Sequence, residues 1–129
     1  MALILLVEDN ITNMALASVL LAKAGYDVIQ ALDAKSGIKQ SISESPDLIL
    51  MDVQLPGISG LEATAQIKAN PETKTIPIIA LTAQAMSGDE ARCRAAGCDG
   101  YIAKPLNYKV LWTSIKRQLE KTKAKHDIS

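Results

Sequence analysis

The sequence predicts one α/β domain of the (βα)5 kind, a doubly wound five-stranded parallel sheet with helices on both faces. Two observations predict it. Five short runs rich in Leu, Ile and Val recur along the 129 residues, and stretches of helical periodicity lie between them and after the last, the alternation that builds a parallel sheet. The most continuous runs also lack the in-and-out pattern of a half-exposed strand, so they suit a sheet covered on both sides.

Taken in order, "LILLV" at 3 to 7 is the first strand. Asn10 is a fitting N-cap for a helix over 11 to 24, in which Met14, Ala17, Leu21 and Ala24 form one stripe before Gly25 stops it. "DVIQA" at 27 to 31 is the second strand, followed by a helix over 34 to 44. "DLILM" at 47 to 51 is the third; a loop with Pro56, Gly57 and Gly60 leads into a helix over 60 to 69. The two glycines suit a loop with positive φ, and ordinary turn use fits them equally. "IPIIAL" at 76 to 81 is the fourth strand, with a helix over 88 to 96 ended by Gly97. "GYIA" at 100 to 103 is the fifth, and Asn107 opens a helix over 107 to 122. Residues 1 to 122 thus read as one domain, and 123 to 129 as a polar tail expected to fray.

Composition narrows the function classes. A 13.8 kDa chain with 48% hydrophobic and 22% charged residues has room for one substantial core. A formal net charge of +0 argues against nucleic acid as a direct partner. The charge is unevenly placed: residues 1 to 60 hold three basic and seven acidic side chains, residues 104 to 129 seven and two. The basic groups among 116 to 125 read as a solvated helix end that suits the helix dipole. No apolar run approaches the roughly 18 residues of a membrane span. "MALILLV" is too short for a signal peptide and lacks a basic start, so a cytoplasmic protein is expected. Cys93 and Cys98 have neither metal-ligand nor disulfide-framework spacing. They are expected to be small semi-buried hydrophobes, since residues five apart on a helix do not share a face. His126, in the tail, is expected to be inert.

The stretch "LILMDVQLPGISGLE", residues 48 to 62, runs from four apolar residues into Asp52. A carboxylate costs too much to bury for packing alone, so Asp52 is solvated, paired or a working group. In doubly wound sheets, ligands collect beyond the carboxyl ends of the strands. At those ends stand Glu8 and Asp9, Asp52, Thr82, and Lys104 followed by Pro105. A solvated strand end or a helix cap explains any one of them, but not five groups that meet at one edge from across 96 positions of chain. Clustered carboxylates raise one another's pKa unless a cation sits among them, and hard oxygen ligands favour Mg²⁺.

"LLVEDN", "DLILMDVQLPGISGLE", "IIALTAQAM" and "AGCDGYIAKP" resemble, in order and spacing over residues 2 to about 120, the receiver domains of two-component response regulators, the CheY-like and flavodoxin-like fold. "VEDNITN" and "DVQLPGISGLE" resemble in particular the single-domain regulators related to DivK. The resemblance implies strand order 2-1-3-4-5 and a phosphoryl group accepted on Asp52 from a histidine kinase or histidine phosphotransfer protein. It implies Mg²⁺ held by Asp9, Asp52 and the backbone carbonyl of Gln54, with Glu8 supporting it through water. Lys104 would neutralise the transferring oxygens and Thr82 would donate its hydroxyl to one of them. Thr82 and Tyr101 would form the switch, Tyr101 turning from exposed to buried, and the Lys104–Pro105 bond would be cis. Ala83 leaves space above the phosphate, and Gln54 and Gln84 take the positions that influence how fast it is lost. Such a chain is a signalling protein that catalyses only its own phosphorylation and dephosphorylation.

In the last helix Leu111, Ile115 and Leu119 recur every four positions and are expected to face the core. Trp112, about 100° further round, is expected at the edge of that stripe. It either extends the core contact or borders, with Tyr101, a partner surface formed by helix four, strand five and helix five. No helix-turn-helix, cyclase or methylesterase segment is read in the chain, so output is expected through a downstream protein target, from a monomer or weak dimer.

Two other classes share parts of this pattern. An aspartate-nucleophile phosphatase of the haloacid-dehalogenase type needs a second Asp two residues after the first, where Gln54 stands, and a cap domain. A flavin- or nucleotide-binding module needs a Gly-, Ser- or Thr-rich phosphate loop after strand one, where "VEDNITN" puts two negative charges.

Overall fold

A computed structural model describes the backbone of residues 2–83 and 89–128, with side chains for 2–83 and 90–122. The elements are β1 Leu3–Val7, α1 Ile11–Lys23, β2 Asp27–Ala31, α2 Ala34–Ser43, β3 Leu48–Asp52, α3 Gly60–Ala69, β4 Ile78–Thr82, α4 Asp89–Ala96, β5 Gly100–Ala103 and α5 Tyr108–Ile128. The strands form one parallel sheet in the order β2-β1-β3-β4-β5. The winding therefore reverses between β1 and β3, which leaves a crevice above their carboxyl ends.

Alternate residues of each strand face opposite layers, so an unbroken apolar run feeds two cores at once. Leu5, Val7, Ile49, Met51, Ile78 and Ala80 pack with Ala63, Ile67 and Cys93 of α3 and α4. Ile4, Leu6, Leu48, Leu50, Ile79 and Leu81 pack with Met14, Ala17 and Leu21 of α1 and Leu111 and Ile115 of α5. Each fully buried Leu or Ile contributes about 1.5–3 kcal/mol relative to exposure, which makes the three central strands the rigid base of the site.

Local chemistry sets the boundaries. Side-chain caps hold the helix starts: Asn10 accepts from the Asn13 N–H at 2.9 Å, Asp33 from Ser36 at 2.7 Å and Ser59 from Glu62 at 3.2 Å. The Asn107 Oδ1 atom accepts from the amides of Lys109 and Val110 at the start of α5. α1 stops at Gly25, whose φ of +92° is open to glycine at no steric cost. β3 and β4 each lie one or two residues later than expected. Ile76 belongs to a turn and Pro77 has no N–H to give, although its carbonyl accepts from Ile49 at 2.9 Å. The shift matters, because it makes Asp52 and Thr82 the last residues of their strands.

α5 continues to Ile128, through the segment read as a polar tail, over Lys- and Ala-containing sequence of good helix propensity. Gln84, position 88 and the His126 side chain lie outside the described residues.

The expectation that Cys93 and Cys98 share no face changes with the end of α4. Gly97 turns the chain at φ +108°, its N–H donating to Arg94 O and that of Cys98 to Cys93 O, both at 3.0 Å. This is a Schellman closure, which folds Cys98 back against Cys93. Neither cysteine is disulfide-bonded and both are buried, and burial, with Cys93 alongside, pushes the Cys98 thiol up to about 11.

Candidate functional site

Strand register assembles the site. Val7 stands beside Met51, Asp52 beside Leu81, and Thr82 beside Ala103, so the residues that follow β1 and β5 meet the last residues of β3 and β4 at one level. Glu8 and Asp52 are only 2% and 4% exposed, and buried carboxylates must be compensated. Lys104 compensates both: its Nζ donates to Glu8 Oε2 at 2.8 Å and to Asp52 Oδ2 at 3.1 Å. The remaining oxygens accept backbone amides, Glu8 Oε1 from Asn10 at 3.2 Å and Asp52 Oδ1 from Gln54 at 3.0 Å. Thr82 is buried at the same rim, and its carbonyl accepts from the Lys104 N–H at 2.7 Å.

Asp9 is exposed, and one carboxylate oxygen each from Glu8, Asp9 and Asp52 lies within 4.8 Å of the others. Removal from water holds the Glu8 carboxyl above its usual range; Lys104 opposes that shift and Asp52 adds to it. For Lys104, burial lowers the ammonium, but the hydrogen bond to Glu8 and the charge of Asp52 outweigh it, so the net shift is upward. Three carboxylates against one ammonium leave an excess of negative charge in oxygen-only ligands, a donor set that fits a hard divalent cation such as Mg²⁺.

The loops that frame the site are specialised. The Lys104–Pro105 peptide is cis. Gly57 has φ +76°, whereas Gly60 is not among the positive-φ residues and is needed for a different reason. A Cβ on Gly60 would stand 1.9 Å from the Asp52 carbonyl oxygen, while its N–H donates to Val53 O at 3.0 Å. Only a residue without a side chain lets the start of α3 press on the end of β3.

With that geometry, the comparisons with known proteins are decisive. The family model described as "Response regulator receiver domain" matches residues 4–116. The chain belongs to the response-regulator receiver family. This receiver is 43% identical over 116 residues to the polar-differentiation response regulator DivK of Brucella anthropi, across 90% of this chain and 94% of that protein; DivK of Brucella ovis gives the same figures. Among solved structures it is similar to the receiver domain of a sensor histidine kinase from Pseudomonas aeruginosa PAO1, which has magnesium coordinated in its active site cleft. That likeness has TM-score 0.86, 37% identity, and 92% and 98% coverage of the two chains. It is also similar to the chemotaxis protein CheY4 of Vibrio cholerae, with TM-score 0.85, 29% identity, and 91% and 98% coverage.

The two aromatics expected at a partner surface pack against different cores. Tyr101, half-buried on β5, packs on the core beneath α3 and α4. Trp112 packs on the opposite core, donates its indole N–H to Leu20 O of α1 at 3.0 Å, and meets the Tyr108 ring edge-on at 5.0 Å. The Trp112 indole turns toward α1, which satisfies its N–H. For Gly60 the sequence suggested a positive φ or ordinary turn use; the close contact with the Asp52 carbonyl that requires it carries no local signal. Arg92 lines a cavity of about 340 Å³ with Val53, Gln54, Leu55, Ser59, Leu61 and Thr82. No helix among the described residues is long and apolar enough to cross a membrane.

Proposed function

We propose that this receiver is the phosphoryl acceptor of a cytoplasmic two-component phosphorelay and that Asp52 takes the group. The observation that carries this reading is the convergence on Asp52: a buried carboxylate oriented by the Gln54 amide on one oxygen and by Lys104 on the other. An Asp52 oxygen attacks phosphorus in line, the bond from phosphorus to the donor imidazole breaks, and imidazole leaves with a proton. Lys104 follows the charge onto the phosphoryl oxygens, and the Thr82 hydroxyl donates to one of them. Asp9, Asp52 and the Gln54 carbonyl are the groups to hold Mg²⁺, which when bound offsets the negative charge of the phosphoryl oxygens. Glu8, already engaged by Lys104 and the Asn10 amide, suits support through water.

The phosphodonor is a histidine kinase or histidine phosphotransfer protein. Ile11, Leu16 and Val19 on α1 are 77%, 50% and 52% exposed. Beside them a small cavity joins Asn13, Leu16 and Ala17 to Lys104, Pro105 and Leu106, so an apolar landing face adjoins the acceptor. The edge built by α4, β5 and α5, with Tyr101, is the output surface for a downstream protein target.

The test is labelling by acetyl phosphate. Label is expected in the presence of Mg²⁺, lost on chelation and absent from Asp52→Asn. Wild-type labelling of that variant, or labelling indifferent to the metal, removes the assignment.

A further inference from the structure

α1 and α5 both start at the carboxyl edge of the sheet and run side by side over one core. They meet directly, since the Trp112 indole donates to Leu20 O at 3.0 Å and Leu16 lines one small cavity with Leu106. Helical spacing by threes and fours puts Leu16, Leu20 and Lys23 on the α1 side of this seam, and Lys109, Trp112 and Lys116 on the α5 side. Leu20 and Trp112 are partly buried on the core, whereas Leu16 and Tyr108 stay 50% and 44% exposed. The seam is therefore an apolar groove open to solvent, about 20 Å long over the 13 residues of α1.

Its rim is basic and carries no counter-charge. Lys23, Lys109 and Lys116 are exposed, and among the described residues none of them pairs with a carboxylate. Lys109 lies over the Tyr108 ring, its Nζ 5.9 Å from the centroid, which leaves its charge uncancelled. α1 contains no acidic residue, and the chain has none from Lys104 to Leu119. A second copy seated symmetrically on this face would set the lysines against one another. An extended strand finds no free backbone edge between two helices, and the indole donor is already used, so recognition falls to apolar contact combined with charge.

We propose that the α1–α5 groove docks an amphipathic helix of a partner protein, its apolar stripe on Leu16, Leu20 and Trp112 and its carboxylates against Lys23, Lys109 and Lys116. The groove shares Leu16 with the landing face beside the acceptor and runs from there away from Asp52, because Lys23 ends α1 at the opposite edge of the sheet. It is complete in the unphosphorylated protein and lies on the core opposite that of Tyr101, so the helix is held with or without phosphate on Asp52. This contact is separate from the α4, β5 and α5 edge and does not depend on the acceptor.

The experiment uses the full chain and its Lys23→Glu, Lys116→Glu and Arg117→Glu variants, with urea midpoints measured first to establish equal folding. The probes are two synthetic peptides of about 18 residues, long enough to hold a helix, with leucines at alternating three and four spacing and the other positions mostly Glu in one and mostly Lys in the other. The Glu peptide is expected to bind wild type and to shift the emission of Trp112, the sole tryptophan. The Lys peptide is expected to do neither. Lys23→Glu and Lys116→Glu are each expected to weaken binding about fivefold, the scale of one exposed ion pair, and the gap to wild type is expected to close in high salt. Arg117→Glu reverses a charge about 100° round the helix from Lys116 and is expected to stay within twofold of wild type. Beryllofluoride with Mg²⁺ is expected to leave the affinity unchanged, and Asp52→Asn is expected to bind the peptide as wild type does. Equal binding of the two peptides, an unmoved Trp112 emission, an Arg117→Glu loss equal to that of Lys116→Glu, or an affinity that changes more than fivefold with beryllofluoride overturns the proposal. So does a dimer of the protein alone that the two groove substitutions dissolve, which assigns the face to a second copy. Flotation with phosphatidylserine vesicles that the same substitutions abolish assigns it to a membrane and likewise overturns it.

Discussion

The backbone of Gly60 touches the backbone of Asp52: a Cβ on the glycine would stand 1.9 Å from the Asp52 carbonyl oxygen and 2.8 Å from its carbonyl carbon. Neither partner can yield easily, since one opens a helix and the other ends a central strand. Gly60→Ala is therefore expected to destabilise the protein by about 3 kcal/mol, the upper end for overpacking a rigid site. Because the displaced backbone carries Asp52, the rate of acetyl-phosphate labelling is expected to fall as well. Urea unfolding and labelling kinetics on the same preparation check both. A variant that unfolds early but labels normally would show that α3 moves and the acceptor does not.

Among the described residues Lys104 is the one cation bonded to two buried carboxylates, which makes its removal costlier than that of a surface charge. Lys104→Met is expected to lower the stability of the metal-free protein at neutral pH by roughly 3 kcal/mol, the low end for breaking a buried pair, because its side chain keeps 18% exposure. The loss is expected to shrink as pH falls and the stranded Glu8 carboxyl, whose pKa burial raises, takes up a proton. The Lys104 pKa is raised, so its own contribution is fully present below the unfolded value near 10.5 and disappears as pH rises through the folded one. Equal losses at pH 5 and pH 7 would count against the pairing.

Glu8 contributes with the opposite practical consequence. Its folded pKa lies above the ordinary 4.5, chiefly through burial, so the stability it adds is complete below 4.5 and is lost as pH rises through the folded value. Glu8→Gln is expected to make the metal-free protein more stable at pH 7 and to flatten this part of the pH profile. Thermal melts from pH 4 to pH 8 in chelator measure it, and a parallel profile for the two proteins would refute it.

Mg²⁺ acts on the same charge excess. A cation that binds only the assembled cluster is expected to add about 2.7 kcal/mol at one hundred times its dissociation constant. The increment is expected to fall in Asp9→Asn. Melting temperatures unchanged by millimolar Mg²⁺ would show that Glu8, Asp9 and Asp52 do not act together.

Trp112 joins α5 to α1 through its bond to Leu20 O. Trp112→Phe keeps the ring and loses the donor, so a cost of up to about 1 kcal/mol is expected, with Asp52 labelling intact. Stability equal to wild type would mean that the indole bond contributes nothing in solution.

The sequence by itself determined the sheet, its helices and the strand-end groups, for a physical reason. Leu48 to Met51 can be buried only inside a covered sheet, and a chain that ends such a run on Asp52 must place the carboxylate at the edge, as it does Glu8 and Thr82. Periodicity and turn chemistry are local, so Asn10, Gly25 and Gly97 could be read as stops and starts with little error. Contacts between distant elements carry no such local signature. That Lys104 bridges Glu8 and Asp52, that Gly60 is required by the Asp52 carbonyl, that Gly97 folds Cys98 onto Cys93, and that the Trp112 indole bonds Leu20 O were decided by tertiary packing. In each case two groups far apart along the chain, or folded back by a reversal, meet because a shared core leaves them no other position, and nothing in the spacing of either residue records the other.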